Sequence, residues 1–389
     1  MRILLHMGDP YIIDNPCTKR MRAFKEAWEK KGHKVVILAP DTEVDERVEG
    51  VIYCKTSPLK KKTSLYRLLN GCSFALCSMK EAGRLGKVDV VLTTCPPPLI
   101  NMAGWAIARW KRAKLIYDVR DIWPDVALEM GSFSKRSIYY KVFAFIKRFM
   151  LKHADLITAV SPGKVRKLKA EAENRQVVHI SNGFDCHFLE NQINEKLYQR
   201  LQQFEGFRCI YVGNLGLAQG VRQLLQIAKK ALQQGLKTSF ILYGSGAEEA
   251  QLKEYAARQK LTNVYFEGRL PNKDMYTVLQ AGDMSFVPLV NGNLKDSIPT
   301  KLYESLGCGC PVLLAAEGDA VRVLKATGFG IAVSPYKGQE LWEGFCRLYH
   351  KDEAVMQNRE RAMELMKNSC SLTVSAERLI KITERICRK

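Results

Sequence analysis

Short apolar runs alternate along the chain with stretches whose apolar positions recur every three or four residues. RILLHM at 2–7 reads as a buried strand. Residues 18–31 place Met21, Phe24 and Trp28 on one helix face closed by Gly32, and KVVILA at 34–39 is a second strand ended by Pro40. A strand, a helix and a strand within about 35 residues form a βαβ unit, which requires a parallel sheet and a right-handed crossover. The same rhythm predicts strands at 88–93, 114–119, 155–160 and 177–180, with helices at 64–85, 98–111, 137–153 and 163–173. It breaks near Asn182-Gly183, where residues 184–206 are polar and strandless. A second series has strands at 208–212, 238–243, 263–267, 283–288, 311–315 and 330–333, and residues 337–389 carry a helical pattern. The expected architecture is α/β, with two doubly wound Rossmann-like domains at 1–185 and 207–372, a linker at 186–206, and a cleft between the domains. Ligands of such sheets bind beyond the carboxyl ends of the strands, so the cleft is the expected site.

Composition narrows the function classes. Over 389 residues, 47% are hydrophobic and 26% charged, which excludes wholesale disorder. No apolar run approaches the ~18 residues of a spanning helix, and MRILLHMGDP lacks the apolar stretch of a signal peptide. The twelve cysteines are scattered and are expected as free thiols in a reducing cytosol. The close pairs Cys72/Cys77 and Cys308/Cys310 lack the repeated spacing of a zinc site. The net charge is +20. The excess is patchy: residues 55–87 hold eight bases and one acid, and residues 133–170 hold ten and one. Such a field attracts nucleotide phosphates, nucleic acid or an anionic membrane surface.

The strongest chemical signal is DSIPTKLYESLGCGCPV at 296–312. Pro299 just inside a helix start would leave the amides of Thr300, Lys301 and Leu302 pointing out of the helix end. A diphosphate there gains N–H donors, the Lys301 cation and a dipole contribution of about 0.3–2 kcal/mol. Glu304, one turn on, is placed to accept hydrogen bonds from a ribose diol; the alternative is an ordinary surface helix with a proline cap and a solvated Glu304. Gly213-Asn214-Leu215-Gly216 and Gly244-Ser245-Gly246 each follow a predicted strand, where glycine permits either a plain turn or close approach to a ligand. No G-x-G-x-x-G follows the first strand, which argues against a dinucleotide cofactor. YDVRDIWPD at 117–125 leaves the end of a strand with Asp118, Arg120, Asp121 and Asp125. Asp121 is a candidate to position an acceptor hydroxyl, and Asp125 reads as a helix cap. The chain has no D-x-D pair of the kind that chelates a metal to a sugar-nucleotide diphosphate. In SIYYKVFAFIKRFMLK at 137–152, Lys141, Lys147, Arg148 and Lys152 lie among Tyr140, Phe143, Phe145 and Phe149. The pattern suits either a helix resting on an anionic leaflet or a solvated basic face over a packed helix. Lys60 to Arg67 is a second candidate contact. No nucleic-acid-binding motif is present, so nucleic acid is not an expected partner.

These residues together resemble the GT-B glycosyltransferases, and in detail glycosyltransferase family 4. KKGHKVVILAP, YVGNLGLAQGVRQLL and PTKLYESLGCGCPVLL are similar to that family's motifs, and the likeness spans nearly the whole chain. DIWPD and GNLGLAQG point to the branch that builds capsule, O-antigen or exopolysaccharide. The resemblance implies a retaining, metal-independent transferase that takes a nucleotide-sugar donor and a saccharide acceptor, lipid-linked in this branch, at the cytoplasmic face of the membrane. Its paired glutamates correspond to Glu304 and Asp296, for the donor ribose and sugar. Its diphosphate-clamping Arg and Lys correspond to Asn214 and Gln219, whose task passes to Lys301, Arg222 and backbone amides. The donor side then comprises Gly213, Asn214, Gly216, Gln219, Gly244, Gly268, Arg269, Asp296, Pro299, Thr300, Lys301, Leu302 and Glu304. Asp121, Arg120 and Lys301 are the catalytic candidates, and Asn15, Arg20 and Asp118 the acceptor-side ones. A final helix at 373–389 is expected to return to the first domain. A nucleotide-sugar epimerase or phosphorylase, and a catalytically silent membrane-surface binding protein, are the alternatives.

Overall fold

In the computed structural model the described residues are 1–13, 15–41, 47–58, 64–129, 134–217, 219–290 and 294–388. The chain divides into two units, Met1–Asn182 with Leu372–Lys389, and Gly183–Ser371.

The first unit runs β1 (Arg2–His6), α1 (Pro16–Glu29), β2 (Lys34–Pro40), β3 (Val51–Cys54), α2 (Ser64–Arg84), β4 (Val90–Cys95), α3 (Leu99–Lys111), β5 (Lys114–Val119), α4 (Asp125–Glu129), α5 (Ile138–His153), β6 (Leu156–Ala159), α6 (Pro162–Glu171) and β7 (Val177–His179). Its strands form one parallel sheet in the order β3-β2-β1-β4-β5-β6-β7. The apolar runs arise because helices cover both faces of such a sheet. Helix starts follow local chemistry. Asn15 caps α1 through Thr18 N–H with Pro16 behind it, and Ser161 caps α6 through Lys164 N–H with Pro162 behind it. β3 was not expected. Its VIYC is short and follows a polar, acidic stretch.

The second unit runs α7 (Glu195–Gln202), β8 (Phe207–Val212), α8 (Arg222–Gln233), β9 (Thr238–Tyr243), α9 (Glu249–Arg258), β10 (Val264–Gly268), α10 (Met275–Ala281), β11 (Met284–Pro288), α11 (Thr300–Gly307), β12 (Val312–Ala315), α12 (Asp319–Thr327), β13 (Gly330–Val333), α13 (Gly338–Tyr349), α14 (Glu353–Met356) and α15 (Arg359–Asn368). Its parallel sheet is ordered β10-β9-β8-β11-β12-β13. Residues 186–206, expected as a linker, belong to this unit. They hold a 3-10 turn and α7, and Phe188 and Leu201 are buried in its core.

The last helix, α16 (Leu372–Arg388), packs on α1 in the first unit. Ala376, Leu379 and Ile380 are buried there beside Phe24 and Trp28, and the Trp28 indole donates to Ala376 O at 2.8 Å. Among the described residues no helix is long and apolar enough to cross a membrane.

Candidate active site

In each sheet the strand order reverses once, between β1 and β4 and between β8 and β11. Crevices at the carboxyl ends of such strands are where this architecture binds ligands.

In the second unit the turns beyond β8 and β9 are tied in series. Gly213 N–H donates to Tyr243 O, Leu215 N–H to Ser245 O and Gly244 N–H to Gly268 O. Gly213 (φ 150°) and Gly244 (φ 151°) lie in backbone conformations that favour glycine. A Cβ on Gly244 would stand 1.8 Å from Gly213 O, and one on Gly213 would stand 2.9 Å from Lys301 Nζ. Turn packing and the seat of Lys301 therefore account for these two glycines. The expectation that they open the backbone to a ligand is not needed.

Pro299 is the cap of α11, with extended backbone, so the helix starts one residue later than expected. Pro299, Thr300 and Lys301 are half-exposed, and this helix end is not plugged by packing. Among the described residues the N–H groups of Thr300 and Lys301 have no partner. Leu302 departs from expectation, since its N–H donates to Pro299 O at 3.0 Å and its side chain is buried. A 3-10 turn closes the helix start there and removes one of the three amides expected for an anion.

Lys301 is the centre of this region. Its ammonium donates to Gln219 Oε1 at 2.6 Å and to Tyr211 Oη at 3.1 Å, and it stands 4.5 Å from the centre of the Tyr211 ring. Burial lowers its pKa to about 8, partly opposed by the Glu304 carboxylate. Both of its hydrogen-bond partners are neutral, and an ammonium has three N–H donors. Glu304 is half-exposed one turn along α11, and Asp296 is buried. Asn214 is exposed, while Gly216 is buried. Gly268 and Arg269 are exposed at the end of β10, where Arg269 Nε donates to Ser245 Oγ at 2.9 Å. Arg222 lies over the Tyr255 ring at 4.7 Å rather than against Lys301. Ala218 lies outside the described residues.

The first unit sorts its candidates into two groups. Arg20 and Asp118 are fully buried and paired, Nη2 to Oδ1 at 2.9 Å and Nε to Oδ2 at 3.2 Å. Arg20 also donates to Ser181 O and Ile180 O, and Thr158 donates to Asp118. Burial pushes the Asp118 carboxyl up, but Arg20 and the hydrogen bonds from Arg20 and Thr158 outweigh it and hold the pKa below the usual value. This corrects the acceptor-side expectation for both residues: every polar atom is committed inside the unit. Asn15 likewise spends its side-chain oxygen on the cap of α1.

Arg120 and Asp121 remain at the carboxyl edge. The Arg120 side chain is largely buried and donates to Thr94 Oγ1 at 3.0 Å, Pro96 O at 2.8 Å and Asp9 Oδ2 at 3.1 Å. Asp121 is half-exposed, and Lys164 Nζ stands 3.7 Å from its carboxylate. Asp125 begins α4 and pairs with Lys147 at 2.8 Å. Asp9, Lys164 and Tyr211 were not singled out from the sequence. Asp9 directly follows the first strand and its Gly8, a positional clue. Nothing marks Lys164 or Tyr211 until tertiary contacts are known.

On α5, Lys147 is turned inward, bridging Asp125 and Glu171, which corrects its place on the expected membrane face. Phe143 and Phe149 are half-buried against Trp123 and Trp105. Ile138, Lys141, Val142, Phe145, Arg148 and Lys152 are exposed and share about a third of the helix circumference. Lys60, Lys61, Lys62 and Thr63 of the second basic segment lie outside the described residues.

Two parallel Rossmann-like sheets, each with one order reversal, define the GT-B class of protein. The family models agree: "Glycosyl transferase 4-like domain" matches residues 17–183 and "Glycosyl transferases group 1" matches residues 195–365. The chain belongs to the GT-B glycosyltransferases of family 4. It is 26% identical to the probable glycosyltransferase WbjE of Pseudomonas aeruginosa over 66% of this chain and 64% of that protein. It is 24% identical to the putative colanic acid biosynthesis glycosyl transferase WcaI of Escherichia coli over 78% of this chain and 80% of that one. Thus the chain spans less than two thirds of WbjE but most of WcaI. Among solved structures, sucrose-phosphate synthase from Thermosynechococcus elongatus superposes with a TM-score of 0.80 at 15% identity, covering 99% of both chains. Anabaena HepE in complex with UDP and glucose does so at 0.74 and 18%, covering 99% of this chain and 100% of that one.

Proposed function

We propose that this protein is a retaining glycosyltransferase that moves a sugar from a nucleotide-sugar donor to a saccharide acceptor and needs no bound metal. The observation that carries this reading is Lys301. It is a half-exposed lysine whose ammonium has only neutral hydrogen-bond partners, beside two amides at the start of α11 that have no partner among the described residues. A cation so placed is completed by an anion, and a diphosphate supplies one. A nucleotide-sugar as donor is further supported by HepE, which has been solved with UDP-glucose. Asp296 and Glu304 are assigned to the donor sugar and ribose, and Asp121, steadied by Lys164, to the acceptor hydroxyl.

In the reaction, the acceptor oxygen bonds to the anomeric carbon on the face from which the diphosphate departs. The anomeric carbon–oxygen bond to phosphate breaks, its electron pair stays on the diphosphate, and the acceptor proton passes to that diphosphate oxygen. Lys301 and the two amides stabilise the departing charge, the kind of term that supplies much of an enzyme's rate. The names of WbjE and WcaI support an acceptor in surface-polysaccharide assembly. A lipid-linked acceptor and docking on the cytoplasmic leaflet rest on the exposed stripe of α5, whose three cations flank Ile138, Val142 and Phe145.

The test is transfer from UDP-, GDP- and ADP-sugars to bacterial lipid-linked saccharides, with the product read by NMR. Retention at the anomeric carbon and an unchanged rate in EDTA are expected. Inversion, loss of rate in EDTA, or an isomerised donor formed without acceptor would each overturn part of the reading. Flotation with phosphatidylglycerol vesicles should weaken when Lys141, Arg148 and Lys152 become Gln. Equal flotation removes the membrane claim.

A further inference from the structure

The Lys301 ammonium is held by two hydrogen bonds and a ring face, and one residue that sets it belongs to neither glycine turn nor helix. Tyr211 is a fully buried residue near the end of β8. Its hydroxyl hydrogen is committed to Asn214 O at 2.7 Å. The phenolic oxygen can therefore only accept from Lys301, which it does at 3.1 Å. The ring lies 4.5 Å beneath the same ammonium, and Gly213 carries no Cβ that would crowd it. Gln219 Oε1 takes a second N–H, which leaves the third with no partner among the described residues.

We propose that Tyr211 is a positioning residue for the donor diphosphate. It fixes the Lys301 ammonium, and with it the direction of the remaining N–H, relative to the Gly213–Asn214 turn. The inference rests on the donor-site reading given above and adds a residue whose hydroxyl never touches the ligand. Two further observations fit this role. The buried phenol has its pKa raised by burial and, to a lesser degree, by Glu248, so it stays neutral and adds no charge of its own. The Glu304 carboxylate, on the same helix, favours the charged form of Lys301 and so works against the effect of burial. The ammonium is thus steered by hydrogen bonds and a ring face, which leaves its charge available to a ligand.

The experiment uses the full chain and base-independent as well as nucleotide probes: inorganic pyrophosphate, UDP, GDP, ADP and the matching nucleosides. Affinities are measured by calorimetry across pH 6.5 to 9.5. Tyr211→Phe keeps ring and packing and removes only the hydroxyl. Pyrophosphate and the preferred nucleoside diphosphate should bind about five- to tenfold more weakly, while the nucleoside is unaffected. The loss of binding on the alkaline side should begin at lower pH, because a lost acceptor makes the ammonium easier to deprotonate. In a Lys301→Met background the same change should cost nothing further. A packing role would weaken nucleoside and diphosphate alike and persist in that background, which would overturn the proposal. Equal affinity and an equal pH profile in Tyr211→Phe would overturn it too, with the donor site left standing. No binding of any probe to the wild type would take down both. Should Tyr211→Phe melt early, 3-fluorotyrosine at position 211 retains the hydroxyl as a poorer acceptor and must move the alkaline limit the same way.

Discussion

Each unit holds a basic side chain near the carboxyl ends of its strands, and the two are satisfied in opposite ways. Arg20 has a carboxylate in a two-bonded grip and two carbonyls besides. Lys301 has an amide oxygen, a phenol and a ring face. Taking a charge out of water is costly unless an opposite charge goes with it. The first unit meets that cost from within its own chain. The second leaves it open, at a half-exposed helix start where a ligand's charge can arrive. The contrast separates a basic residue that builds the fold from one that awaits a partner.

The comparison can be broken by substituting each cation in turn. Arg20→Met or Asp118→Asn strands one half of a buried pair and should cost about 3–5 kcal/mol of unfolding free energy in a denaturant titration. The same removal at Lys301 should leave stability unchanged or raised, since it relieves an unneutralised charge. Loss of stability in Lys301→Met comparable to that in Arg20→Met would erase the distinction. The next largest effect is on turnover: Lys301→Met should lower kcat/KM for the donor by about 10²–10³-fold. Glu304→Ala, which removes hydrogen bonds to a diol, should weaken donor binding about tenfold in calorimetry. Unchanged donor binding in both variants would show that the site is misplaced.

The smallest and sharpest effect concerns pH. Lys301 has its pKa lowered from 10.5 to about 8. Above pH 8 the empty site loses its proton, and an incoming diphosphate must restore it, so affinity should fall by up to about tenfold over the first pH unit above that value. Stability runs the other way. Between these two values the unfolded chain holds the proton and the folded chain does not, so this group makes the fold more stable as pH rises. Lys301→Met should flatten both trends. Asp118 contributes with the same sign in a more acidic window: its folded pKa is depressed, so its stabilisation is present above the unfolded value and is lost as acid protonates the folded carboxyl.

Most strands were readable because a sheet buried on both faces demands uninterrupted apolar runs, as in KVVILA and TSFILY. The start of α11 was readable to within one residue because a proline at a helix start is a local signal. What escaped depends on contacts distant in sequence. Arg20 looked ligand-facing because Asp118 lies 98 residues away. Tyr211 carries no signal in the sequence because its hydroxyl partners are set by a turn and by a helix 90 residues on. Residues 186–206 looked like a tether because two anchoring side chains, Phe188 and Leu201, are diluted by polar neighbours.

The placement of α16 bears on how the protein is made. The N-terminal unit leaves the ribosome first, yet the groove holding Phe24 and Trp28 is lined by Ala376, Leu379 and Ile380, which are synthesised only after the whole of the other unit. The C-terminal unit is therefore complete before the earlier one can be closed, and the nascent chain carries an uncovered apolar seam until then. A premature stop near codon 370 would spare every residue assigned here to the sugar-nucleotide and still leave the other unit unsealed.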